Sequence, residues 1–267
     1  MKTPKIIVIL IGLTWMTFQA LNGQPQTSLK PETASAFADY VKQSEAELDQ
    51  RLSGEAAFLT VDGNPSDRQR VLSSEIVVKK IEPDVKVPSG LLHDWVGTLF
   101  IPEATGLEVV KVLLDYDNPK HVYPEALDSK LKDQQNGMIH GFLQLRKKKV
   151  ITVVLNVDNE ITLSEPTQGQ WHIRSHSTKI SEVKNHGKED EHELPAGQDS
   201  GFMWNLNAYW WLQDTDNGVF VECRAISLSR EIPWLFRWIV KPFVTSIPKE
   251  SLIGTLTATR EEVKRRQ

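Results

Sequence analysis

Residues 201–265 constrain the fold more than any other stretch, because they read as one β-hairpin running directly into a long apolar helix, and they hold five of the eight Trp. From Gly201 to Asp214 the chain alternates. Phe202, Trp204, Leu206, Ala208, Trp210 and Leu212 fall on one face, and Met203, Asn205, Asn207, Tyr209, Trp211 and Gln213 on the other, at the period of two of a half-buried strand. Asn217-Gly218 is a strong hairpin signal, since both residues tolerate the positive φ of a type I′ turn. With these two as the loop, Asp216 pairs with Val219, Leu212 with Cys223 and Trp210 with Ala225. Rings facing small side chains predict a concave apolar face. Trp211 with Arg224 and Gln213 with Glu222 read as the solvent side. A turn of odd length would reverse the assignment for one arm.

Ser229 and Glu231 ahead of Pro233 predict a helix start, in which a side-chain acceptor and a proline satisfy or remove orphan N–H groups. Leu235, Phe236, Ile239, Val240, Phe243, Val244 and Ile247 then recur at helical spacing. Pro242 and Pro248 are each expected to break or kink this helix. Ser246 is expected to cap a continuation whose stripe is Leu252, Leu256, Thr259 and Val263. Lys264-Arg265-Arg266 complement its C-terminal dipole.

The 267 residues, 40% hydrophobic and 25% charged, suit a soluble protein with one substantial core and an appendage. Lys2 and Lys5, the apolar run from Ile6 to Phe18 and the small residues near Gly23 read as a signal segment, residues 1–23, cut after Gly23. Export to the periplasm or the medium follows. An uncleaved anchor is the alternative, although the run is short for a span. Losing those two lysines takes the formal charge from −4 to −6, a balance that repels nucleic-acid backbones. Cys223, the only Cys, excludes an internal disulfide and reads as a buried thiol.

Residues 24–88 read as a linker and N-terminal helical extension. Pro31 to Leu52 is amphipathic, with Phe37, Tyr40, Val41, Ser44, Leu48 and Leu52 along one side. It cannot bury that stripe alone, so it packs either as a layer on the back of a sheet or as a cover over its mouth. Strands are predicted at 74–81, 93–101, 138–145, 150–163 and 171–183, with one or two short helices within 105–123 and a charged loop at 184–200.

Three stretches carry a resemblance: Trp95-Val-Gly-Thr-Leu-Phe-Ile-Pro before Asp115-Tyr-Asp-Asn-Pro; Tyr209-Trp-Trp-Leu-Gln-Asp before Gly218-Val-Phe-Val-Glu-Cys; and Ser246-Ile-Pro-Lys-Glu-Ser-Leu. With the order of elements, they resemble the START-like proteins of the SRPBCC superfamily, in particular exported bacterial members of unassigned role, over residues 92–262. The resemblance implies an α+β helix-grip domain at residues 89–265: a curved antiparallel sheet wrapped around a long C-terminal helix, here with an extra N-terminal helical segment. Members of that superfamily enclose a cavity and bind lipids, sterols, polyketides or other apolar molecules. Some are cyclases, dehydratases or hydroxylase components, but the motifs of those enzymes are not visible in this sequence.

The expected function is therefore binding or carriage of a hydrophobic small molecule or lipid by a monomer, with no catalytic residues, cofactor or metal. Trp204, Leu206, Trp210, Cys223, Ala225, Phe236, Val240 and Phe243 are the expected cavity lining. Arg174 and Tyr209 are candidate polar contacts. Arg174 shares a strand face with His172, His176 and Thr178, and residues four apart on a strand are about 13 Å apart, too far for one metal ion. The loop from His186 to Glu193 has metal-like composition without rigid spacing. No Gly-x-Ser-x-Gly elbow occurs, and Cys223 lies mid-strand. Arg146-Lys147-Lys148-Lys149 reads as an exposed turn whose contact with an anionic membrane would be weak, about 1 kcal/mol per basic residue. Two rivals stand beside the carrier: a cyclase or isomerase using Tyr209, His140 or Glu222 as acid or base, and an interaction module with a fully packed interior.

Overall fold

The computed structural model describes residues 27–81, 86–117, 119–148, 152–231 and 237–267. The expected signal segment, residues 1–23, lies outside them.

The amphipathic N-terminal stretch forms helix α1, Pro31–Leu52, which has Pro in its first turn and buries Thr33, Phe37, Ser44 and Leu48. A 3-10 turn, Thr60–Gly63, leads to α2, Pro65–Leu72, capped by the Asn64 side chain accepting from the Asp67 N–H. Thr105 and Glu108 cap α3, Gly106–Leu113, reciprocally. The short α4 is Pro119–Val122, and α5, Arg237–Arg266, closes the chain.

Twelve strands accompany these helices among the described residues. β1, Thr27–Ser28, pairs with β10, Gln198–Asp199. The main sheet contains β2 (Val77–Lys80), β4 (Gly90–Pro102), β5 (Ala126–Gln135), β6 (Met138–Lys148), β7 (Thr152–Thr167), β8 (Gln170–Lys184), β11 (Asn205–Thr215) and β12 (Gly218–Arg230). Their spatial order is β2-β4-β12-β11-β8-β7-β6-β5, every pairing antiparallel, with β3 (Lys86–Val87) added on β4 and β9 (His192–Glu193) on β8.

Ser229, read as part of a helix start, lies within β12, and three further expectations about the elements need correction. The hairpin closes at Thr215↔Gly218, so Asp216 and Asn217 are its loop. The special backbone falls on Gly218, φ 145°, where a Cβ would stand 2.3 Å from the Ile101 carbonyl oxygen; pairing with β4 therefore selects this register. The shift is two residues, which preserves every face but places Cys223 beside Trp210 and Ala225 beside Ala208. Secondly, α5 runs as one helix through Pro242, Ser246 and Pro248, so the prolines do not break it and Ser246 does not cap a separate segment. A proline removes one donor and bends a helix without necessarily ending it. Thirdly, β5 lies outside the strands predicted from the sequence, although Asn136 and Gly137, φ 52° and 78°, form its hairpin turn to β6.

The sheet must curl. β4 and β6 are five strand spacings apart, about 24 Å if flat. Yet neighbouring residues of α5 reach both: Ser251 accepts from Lys147 Nζ on β6 at 2.9 Å, while Leu252 would lie 3.2 Å from a Cβ at Gly97 on β4. The predicted stripe Leu252, Leu256, Thr259 and Val263 is buried. Leu252, Leu256 and Val263 join an inner cluster with Leu99, Ile173, Trp210 and Cys223. A second cluster on the convex side joins Phe37, Leu48, Leu59 and Val71 to Trp211, Phe220 and Ile226. Of the two positions open to it, the N-terminal extension takes the back of the sheet.

Candidate functional site

Between the curled sheet and α5 lies a cavity of about 390 Å³. Its floor follows from the alternation of β11 and β12. Trp210 faces Cys223 and Ala208 faces Ala225, so two adjacent rungs carry mostly small side chains where branched ones would fill the space. Leu206 continues this face. Of the expected lining, Leu206, Trp210, Cys223 and Ala225 border the cavity. Phe236 lies outside the described residues, as do the side chains of Val240 and Phe243. Burial pushes the Cys223 thiol up, which keeps it protonated and chemically quiet.

Trp204 does not belong there. The ladder starts only at Asn205, after a bend at Gly201, φ 71°, so parity counted from Phe202 fails. Met203, assigned by alternation to the opposite face, lines the cavity. The Trp204 ring joins the back cluster and donates from Nε1 to Asp199 Oδ1 at 3.2 Å.

Tyr209 and Arg174 also face away from the cavity. Tyr209, fully buried, donates to Glu45 Oε1 on α1 at 2.9 Å. Arg174 forms an ion pair with Asp49 of the same helix. Their neighbours agree: His176 Nε2 stands 2.8 Å from Glu45, and the His172 ring packs 5.0 Å from that of Trp211.

The face read from sequence as solvent-exposed is thus an internal interface. Glu222, 0% exposed, takes Arg51 Nη2 at 2.6 Å, the Thr60 N–H at 2.8 Å and hydroxyl at 2.6 Å, and the Thr98 hydroxyl at 3.1 Å. Arg224, 4% exposed, donates to both oxygens of Asp94 at 2.6–3.1 Å and to Ser44 at 3.2 Å, and Tyr40 donates to the same carboxylate at 2.7 Å. The cation–π partner of Trp211 is Arg51, 3.9 Å above the ring, not Arg224. Charges buried this completely are tolerable only because each is paired and hydrogen-bonded, and the extension supplies most of those partners.

The cavity wall is mainly apolar by area, and the polar side chains that interrupt it mostly escaped the sequence reading. The inward residues Val153, Leu155, Val157 and Ile161 of β7 are interrupted by Asn159, a break in the alternation that would have found it. Tyr116 lies over Gly141, where a Cβ would come within 2.4 Å of its ring. Tyr123 shares a hydrogen bond with Thr259 of α5 at 3.2 Å. His93 Nε2 and Ser229 Oγ are 3.2 Å apart, both buried. At the rim Lys147 pairs with Glu125 and also reaches Ser251, so one side chain of the basic run 146–149 is engaged between sheet and helix. None of Tyr209, His140 and Glu222 lines the cavity; His140 stands 3.8 Å from Asp133 and 4.0 Å from Glu160. Among the described residues no group of three or more His, Cys, Asp or Glu could hold a metal ion, and no helix is long and apolar enough to cross a membrane.

No family model matches the sequence, and no curated protein does. Solved structures do. The chain is similar to a STAR-related lipid transfer protein fragment from Xanthomonas axonopodis, at 17% identity over 70% of this chain and 98% of that one, TM-score 0.47. It is similar to a START superfamily protein from Mycobacterium smegmatis, at 11% identity over 66% and 99%, TM-score 0.44. It is also similar to the Zhui aromatase/cyclase from Streptomyces sp. R1128, at 11% identity over 66% and 95%, TM-score 0.45. With its antiparallel sheet curled against a C-terminal helix, and an added helical layer behind, the chain has a helix-grip architecture.

Proposed function

We propose that this protein binds and carries a hydrophobic small molecule or lipid in the cavity between sheet and α5, as a monomer outside the cytoplasm. One observation carries the reading: an apolar space of about 390 Å³ within the inner cluster. Protein interiors rarely keep voids much larger than a water molecule, and ligand cavities run from roughly 300 to 1,000 Å³. Affinity would come from burial, at roughly 25 cal/mol per Å² of apolar area. Export rests on the apolar run after Lys2 and Lys5, and predicts a secreted or periplasmic chain beginning at Gln24.

The test is native mass spectrometry of the exported protein beside an Ala225→Trp variant. The wild type should carry a co-purified apolar mass or take one up from a lipid panel. The variant, with the cavity filled, should lose it while melting within a few degrees of the wild type. Clean wild-type protein that ignores the panel would count for a cavity without a cargo. Fractionation with N-terminal sequencing checks export, and light scattering checks the monomer.

A further inference from the structure

We infer that the ligand is an amphiphile with a single oxygen headgroup, hydroxyl or carboxyl, and that Ser229 with Ser227 and His93 holds that head. This rests on the cavity being a binding site and adds the ligand's chemistry and orientation.

The observation is a gradient along one strand. The inward residues of β12 run Val221, Cys223, Ala225, Ser227, Ser229, and Leu228 and Arg230 also border the cavity at the Ser229 end. In register on β4 stand Leu99, Gly97, Trp95 and His93, opposite Val221, Cys223, Ala225 and Ser227. β11 contributes Leu212, Trp210, Ala208 and Leu206 at the same rungs. The floor therefore passes from aliphatic and aromatic at one end to hydroxyl and imidazole at the other within four rungs.

Ser229 and His93 both border the cavity and are only 7% and 6% exposed, so they lie on its wall rather than in solvent. A polar group facing an apolar space is costly unless hydrogen-bonded. A hydroxyl offers one donor and two acceptor positions, so Ser229 can keep His93 and still engage an oxygen of the ligand. The pair is not needed to join the strands, because β4 and β12 already pair along their whole length, from Gly90↔Arg230 to Pro102↔Gly218. The volume of about 390 Å³ is near the lower end for ligand cavities, which favours one chain over two.

Three probes of equal length separate head from tail: dodecane, 1-dodecanol and dodecanoic acid, each displacing a fluorescent apolar dye from the whole mature protein. The wild type should prefer the alcohol, the acid or both over dodecane by about tenfold or more, the worth of one or two net hydrogen bonds. Ser229→Ala, and more fully Ser227→Ala/Ser229→Ala, should erase that preference while dodecane affinity stays within about twofold and the melting temperature holds. His93→Phe should act in the same direction. Equal binding of all three probes by the wild type would overturn the inference, as would a preference that survives the double serine variant. Either result would leave cavity binding itself standing. Failure of the dye and all three probes to bind would instead remove the underlying reading, and this one with it.

Discussion

His172 shows how a residue that looks like surface dressing becomes a pH-sensitive part of the core. It is 2% exposed, its ring packs on Trp211, and its Nε2 is buried without a protein partner. Burial first, then the nearby Arg174 and Arg51, pull its pKa down from 6.5 to about 3. The folded state thus keeps this imidazole neutral where the unfolded chain would protonate it. Its contribution to stability is complete above pH 6.5 and is lost as pH falls from there toward 3, by an amount on the order of a few kcal/mol. His172→Phe should flatten this part of the acid limb. Melting temperatures of the two proteins measured from pH 7.5 to 4 should converge or cross on acidification, and parallel curves would refute the assignment.

At the scale of elements, glycines decide how closely the layers approach. Gly141 on β6 admits the Tyr116 ring, which stands between α3 and α4, to within 2.4 Å of the position a Cβ would take. Gly141→Val should therefore force the ring away and cost about 1–3 kcal/mol. Adding Tyr116→Ala should recover part of that loss, a coupling that a double-mutant cycle in urea measures directly. Additive losses would mean that the ring is not held by this contact. The hairpins teach the same lesson about register. Asn136-Gly137 forms a two-residue loop with positive φ at both positions, as its dipeptide signals. Asn217-Gly218 does not, because Gly218 is already a rung of β12 pressed against Ile101 and Pro102 of β4. A third strand chose between two registers that local preference left close.

For the whole molecule, the extension is structural rather than appended. Residues 27–81 cover Trp211, Phe220 and Tyr209 and supply Arg51, Thr60, Tyr40 and Ser44 to the buried Glu222 and Arg224 network. Deleting them should leave two charged groups losing partners beside a bared aromatic face, and breaking a buried pair costs about 3–5 kcal/mol. The truncated chain should aggregate or elute in the void volume on size exclusion, whereas a soluble, cooperatively melting monomer would show the sheet to be self-sufficient. Much of the architecture was legible without coordinates. Periodicity located α1, β4, β6, β7, β8 and the hairpin, and it placed Leu252, Leu256, Thr259 and Val263 on the buried stripe of the terminal helix, since period two and period 3.6 are local properties of the chain. Alternation also put Leu206, Trp210, Cys223 and Ala225 on one face, because a register error of two residues does not change faces. Local pattern says only that a strand has two faces, and not what covers each. Whether Arg224, Glu222, Arg174 and Tyr209 met water, ligand or another helix depended on where α1 came to rest, more than a hundred residues away along the chain. The meeting of His93 with Ser229, 136 residues apart in sequence, likewise exists only once β4 and β12 lie side by side.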